Sequence, residues 1–170
     1  MPIAFWRDEY KTGYAKVDEQ HIHLFAIVNK LHDAMLEGHG WDVLRETLDE
    51  LIHYTLEHFQ MEEMLMEVNG YPSFSDHKAK HEELKQKVVL LVQKLEQQGQ
   101  FLTIEVSHFL TEWLIHHIKG EDQKMIRYFH HLQTIQSPDR VDNSPPLPSE
   151  TPPEVPQKAP SSGYWRTYPR

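Results

Sequence analysis

His58 and Glu62 stand four residues apart on a helical stripe that is otherwise apolar, and this pairing restricts the fold more than any other feature of the chain. Residues four apart on an α-helix lie one above the other. Stepping back from His58 by threes and fours meets Thr55, Leu51, Leu48 and Leu44. At about 100° per residue, these positions and Glu62 fall within roughly 40° of one line. Such a line is the face that a helix buries. A buried imidazole and a buried carboxylate need partners, and metal coordination is one way to supply them. The chain therefore needs other helices that aim matching groups at the same place.

Four long amphipathic segments meet that need. The first runs from about Asp18 to Glu37, with Val17, His21, Leu24, Phe25, Val28, Met35 and Leu36 on one side, and Gly38-His39-Gly40 ends it. The second spans about Asp42 to Val68 and is closed by Asn69-Gly70-Tyr71-Pro72. The third begins near Phe74 and reaches Gln98, with His77, His81, Leu84, Val88, Leu91 and Leu95 in register, and Gly99 stops it. The fourth covers about Leu102 to Gln133. Short loops between helices of this length make neighbours antiparallel, so the expected fold is all-α, an up-down-up-down four-helix bundle. Residues 1–17, irregular and rich in aromatic side chains (Phe5, Trp6, Tyr10, Tyr14), read as an arm packing on the bundle as a lid.

The bundle is expected to occupy residues 1–136. Nine of the eleven prolines fall in 137–170, and such a segment cannot bury enough apolar surface to offset its chain entropy. It reads as a disordered tail. Its aromatic and basic end, Tyr164-Trp165-Arg166-Thr167-Tyr168-Pro169-Arg170, is a candidate docking peptide for a protein partner. The tail carries four acids and four bases, so the net charge of −9 belongs to the first 136 residues, which disfavours nucleic acid and anionic membrane as partners. No apolar run reaches about 18 residues and no export signal is evident, so a soluble, cytoplasmic protein is expected. Cysteine is absent, which excludes disulfides, zinc fingers and iron–sulfur clusters.

Each helix aims at least one nitrogen inward: His21 on the first, His58 on the second, His77 and His81 at i, i+4 on the third, His117 on the fourth. Five inward imidazoles and an inward Glu62, unpaired, would cost several kcal/mol. Asp122 stands five residues after His117, so an ideal helix turns it about 140° away, and Met125, Phe129 and Leu132 would leave the buried face as well. One extra residue in the turn near Lys119-Gly120 rotates all four back inward, so the sequence predicts a π-bulge there. Five histidines and two carboxylates are too many for one ion and suit two, with the carboxylates bridging. The sulfur-free donor set fits iron, manganese or zinc.

The residues Asp18-Glu19-Gln20-His21 with Leu24-Phe25, His58-Phe59-Gln60-Met61-Glu62-Glu63, Tyr71-Pro72, His77 with His81, and Trp113-Leu114-Ile115-His116-His117 followed by Asp122 resemble the hemerythrin family, and in particular its single-domain bacterial members. Tyr10-Lys11-Thr12-Gly13 also fits, whereas Tyr14 replaces the usual aliphatic residue and implies a different packing of the arm. The resemblance covers about residues 5–132. It implies a non-heme di-iron centre bridged by Glu62, Asp122 and an oxo or hydroxo group. His77, His81 and His117 would hold one iron, and His21 and His58 the other. The two-histidine iron would be one ligand short and would bind dioxygen reversibly there. Apolar walls from Phe25, Phe59, Trp113 and Leu114 would exclude water. The implied protein is an oxygen carrier, storage or delivery protein and not an enzyme.

Two rivals are a redox or oxygen sensor acting through a partner, and an oxygen-activating di-iron enzyme. The Glu-x-x-His pairs of ferritin-like enzymes do occur, at Glu50/His53 and Glu105/His108, but both fall about 120–180° from the apolar stripes and read as solvent-facing. His23, His39, His116, His130 and His131 also read as surface or loop residues. His32 faces inward but lies about 16 Å along the helix from His21, so a buried, hydrogen-bonded histidine is expected there.

Overall fold

A computed structural model describes residues 2–98 and 104–136. Helix α1 spans Ala15–Leu36, α2 Trp41–Val68 and α3 Phe74–Gln98. The fourth rod is composite. Helix α4, Ile104–His117, passes through a π-helical turn, Ile118–Asp122, into α5, Gln123–Gln136. Helix α1 packs on α2 and α4, and α2 on α3, giving a four-helix bundle with no strand among the described residues. None of the described helices is long and apolar enough to cross a membrane. The expectations for Gly99, Leu102 and the 137–170 tail with its docking peptide lie outside the described residues.

The helix ends follow local chemistry. Helix α1 starts three residues earlier than its periodicity suggests, because Tyr14, in extended conformation, accepts the first helical bond from Asp18 N (3.0 Å). Gly38 (φ +67°) and Gly70 (φ +61°) take the left-handed conformation that closes α1 and α2. There His39 N donates to Ala34 O (3.0 Å) and Tyr71 N to Met66 O (2.9 Å), satisfying carbonyls the helices leave open. One stripe residue is corrected: Leu36 is 51% exposed, since it is the last residue of α1 and the chain turns away at once; Ile27, Leu31 and Ala34 are buried instead.

The π turn does what the downstream pattern requires. Met125 and Ile126 are fully buried and Phe129 is 6% exposed, packed with Val17, Met66 and Tyr71, while Leu132 is half-buried. Burying each such side chain stabilises the fold by about 1.5–3 kcal/mol. Tyr14 also packs against this cluster, which gives the aromatic residue a place at the root of the arm.

The arm is held along α1 and α5. Asn29 Oδ1 accepts from Ile3 N and Ala4 N (both 2.9 Å), and its amide donates to Ala4 O. Asp18 Oδ1 accepts from Thr12 N and Oγ1 (both 2.8 Å). Gln123 Nε2 donates to Glu9 O (2.7 Å). These bonds seat Trp6 and Tyr10 on Phe25, Tyr10 stacking on it at 5.6 Å.

His32 is buried, and its Nδ1 lies 2.8 Å from Ser107 Oγ on α4. His23, His39, His53, His108, His116, His130 and His131 are exposed.

Candidate metal centre

All seven singled-out side chains converge inside the bundle. His21, Glu62, His77, His81 and Asp122 are inaccessible to solvent, with His58 1% and His117 5% exposed. Helix α1 contributes His21, α2 His58 and Glu62, α3 His77 and His81, α4 His117, and the last residue of the π turn is Asp122. Without the wider turn, Asp122 would point about 100° off this direction.

The donors fall into two groups that share the carboxylates. In the first, Nε2 of His117 lies 3.1 Å from Nε2 of both His77 and His81. Asp122 Oδ1 is 3.2 Å from His77 Nε2 and 3.1 Å from His117 Nε2. Glu62 Oε2 is 3.3 Å from His81 Nε2 and 3.6 Å from His77 Nε2. In the second, Asp122 Oδ2 lies 3.1 Å from His21 Nε2, and Glu62 Oε1 lies 3.5 Å from His58 Nε2. Each carboxylate thus turns one oxygen to two imidazoles of the first group and the other to one imidazole of the second.

These separations fit metal coordination. Donors about 2.1 Å from a common ion lie about 3.0 Å apart at right angles and about 3.4 Å apart in a tetrahedron. The same contacts make poor hydrogen bonds. Both nitrogens of His21, both oxygens of Glu62 and of Asp122, and Nδ1 of His77 are buried without a hydrogen-bond partner among the described residues. Leaving them so costs several kcal/mol. A cation-free site is electrostatically strained too. Burial, and then repulsion from His21, pushes His58 down to about 3. Burial with His117 and His77 nearby drives His81 down further. Burial and the neighbouring Asp122 hold Glu62 well above the carboxylate range. Burial pushes Asp122 the same way, but its closeness to His117, His21 and His77 outweighs that and draws it well below. Neutral imidazoles and two facing carboxylates are the protonation states that divalent or trivalent cations would stabilise.

Aromatic rings wall the site. Phe59 stacks on His81 (3.7 Å between centroids, 7° between planes) and Trp113 on His117 (4.5 Å, 15°). Trp6, brought in by the arm, lies 6.2 Å from His21. Leu114 is buried, and Phe25 backs Trp6 and Tyr10. Sequence reasoning placed Trp6 in the lid but not beside His21, and it missed the groups behind the imidazoles. His58 Nδ1 is 3.0 Å from Gln20 Oε1, and His81 Nδ1 is 3.1 Å from Glu63 Oε1, which Lys78 Nζ holds from its other oxygen at 2.9 Å. Glu63 was within reach as the polar neighbour of Glu62 beside the third helix, whereas nothing in the spacing of Gln20 pointed across to α2.

Comparison with known proteins bears on this geometry. The model of the hemerythrin HHE cation-binding domain matches residues 12–129. The chain is similar to a bacteriohemerythrin of Stenotrophomonas maltophilia, 35% identical over 123 residues covering 72% of this chain and 79% of that protein. A bacteriohemerythrin of Methylococcus capsulatus is 34% identical over 72% of this chain and 94% of its own length. A solved wild-type hemerythrin superposes with a TM-score of 0.68 at 32% identity, covering 72% of this chain and 94% of that one. A match from the root of the arm into α5, at more than 30% identity to bacterial relatives over most of their length, places the chain in the hemerythrin family.

Proposed function

We propose that the chain binds dioxygen reversibly at a di-iron centre, as an oxygen carrier, storage or delivery protein and not an enzyme. His77, His81 and His117 would hold one iron, His21 and His58 the other, and Glu62 and Asp122 would bridge them with an oxo or hydroxo group. The observation that carries this reading is the division of each carboxylate's two oxygens between the two imidazole groups. It gives three nitrogens and two oxygens on one side and two nitrogens and two oxygens on the other. When bound, the iron pair would supply the two electrons that dioxygen takes up and returns.

The chain's own residues supply the rest. The two-histidine side offers one donor fewer, which would leave one open position there for a small ligand. Phe59, Trp113 and Trp6 pack on His81, His117 and His21, keeping water and stray protons from the buried carboxylates.

Anaerobic reduction followed by exposure to air, watched by absorption spectroscopy, tests the proposal. A charge-transfer band that rises in air and vanishes under argon is expected, with about two irons per chain. Steady oxygen consumption with added reductant would favour an oxygen-activating enzyme instead. Metal analysis giving one iron, or zinc alone, would overturn both.

A further inference from the structure

The two halves of the centre differ in more than the number of their donors. Behind His81 stands an anion: Glu63 Oε1 lies 3.1 Å from Nδ1, and Lys78 steadies its other oxygen. Behind His58 stands a neutral amide: Gln20 Oε1 lies 3.0 Å from Nδ1. Both acceptors require a proton on Nδ1, which leaves the Nε2 lone pair facing the cluster. Glu63 is only 17% exposed, so its charge is poorly screened where it meets the imidazole. The Nδ1 atoms of His21 and His77 are buried without a partner among the described residues, so the contrast rests on His81 and His58.

A hydrogen bond to a carboxylate is stronger than one to an amide and draws the N–H proton further from the ring. The imidazole becomes a better electron donor, which favours the more highly charged state of the metal it binds. We propose that Glu63 and Gln20 are positioning residues that make the two metal positions electronically unequal, the carboxylate enriching the three-histidine side and the amide leaving the two-histidine side poorer. This rests on the two-iron reading above. Glu63 then stabilises the oxidised pair, and a neutral Gln20 keeps the side with room for a small ligand from being enriched in the same way.

The test exchanges charge while keeping shape. Glu63→Gln retains an oxygen that can accept from His81 but removes the anion, and Gln20→Glu adds one behind His58. With iron loaded anaerobically, a spectroelectrochemical titration at fixed pH should show Glu63→Gln shifted to more positive potential and Gln20→Glu to more negative potential. The double variant should lie between them. Glu63→Ala, which removes the hydrogen bond as well, should weaken iron retention against a chelator by roughly 10–100-fold. Unchanged potentials in both exchanges would overturn the proposal, and so would shifts of both in one direction, the mark of a general disturbance. A second measurement needs no metal: nitrogen-15 NMR of the metal-free wild type should find His58 and His81 protonated on Nδ1. Protonation of His81 on Nε2 would overturn the proposal. A wild type that shows the expected tautomers but holds fewer than two irons would instead remove the two-iron reading on which the potentials depend.

Discussion

His21 and His32 lie on the same helix, both face inward, and both are buried, yet their surroundings could hardly differ more. His32 has a hydroxyl, Ser107 Oγ, at 2.8 Å, and its burial is explained by that bond. Among the described residues His21 has no hydrogen-bond partner for either nitrogen, and it faces Asp122 Oδ2 at 3.1 Å. A core histidine that serves packing finds a complementary donor or acceptor within the protein. One whose nitrogens stay unsatisfied beside an equally unsatisfied carboxylate is arranged for something that arrives from outside.

The comparison breaks most visibly at the shared carboxylate. Asp122→Ala removes an oxygen from both donor groups, so metal content measured by mass spectrometry should fall from about two per chain to one or none. The metal-free protein offers the next test, through His58. Its folded value, about 3, lies below the 6.5 of the free side chain, so between these values the unfolded chain binds the extra proton. His58 therefore contributes stability above pH 6.5 that is lost as pH falls towards 3. Urea unfolding of the metal-free protein should show this loss, and His58→Gln should lack that part of it. His32→Ala should lower stability by about 1–3 kcal/mol, through the lost bond and the space left behind, with metal content unchanged. A loss of metal would join the two histidines in one function and undo the contrast. Smallest of all, truncation after Gln136 should leave the absorption spectrum of the loaded protein unaltered; a lost spectrum would make residues 137–170 part of the bundle.

Much of this was legible in the chain because helical periodicity reports which face a residue occupies. That sufficed to gather His21, His58, Glu62, His77, His81 and His117, and the phase of Met125 and Phe129 exposed the π turn that brings in Asp122. The same rule placed His53 and His108 outside and His32 inside. Periodicity fails where a residue's role depends on a neighbouring element. Gln20 sits about 100° round α1 from His21 and looks like flank until α2 is packed beside it. Trp6 lies in an arm without a period, and only Asn29, Asp18 and Gln123 determine where it rests. Leu36 fitted the stripe by angle but ran out of helix to lean on.

The extra residue between His117 and Asp122 ties two kinds of selection together. A widened turn is ordinarily a weak point that a chain could relax into regular α-helix. Here a turn that tightened to α geometry with all its residues kept would carry every later residue about 100° round, so Met125, Ile126 and Phe129 would lose their buried places at the moment Asp122 swung out of the centre. The irregularity is thereby held in place: these same residues cannot relax into a regular helix without also unseating the hydrophobic anchor of its final fourteen residues.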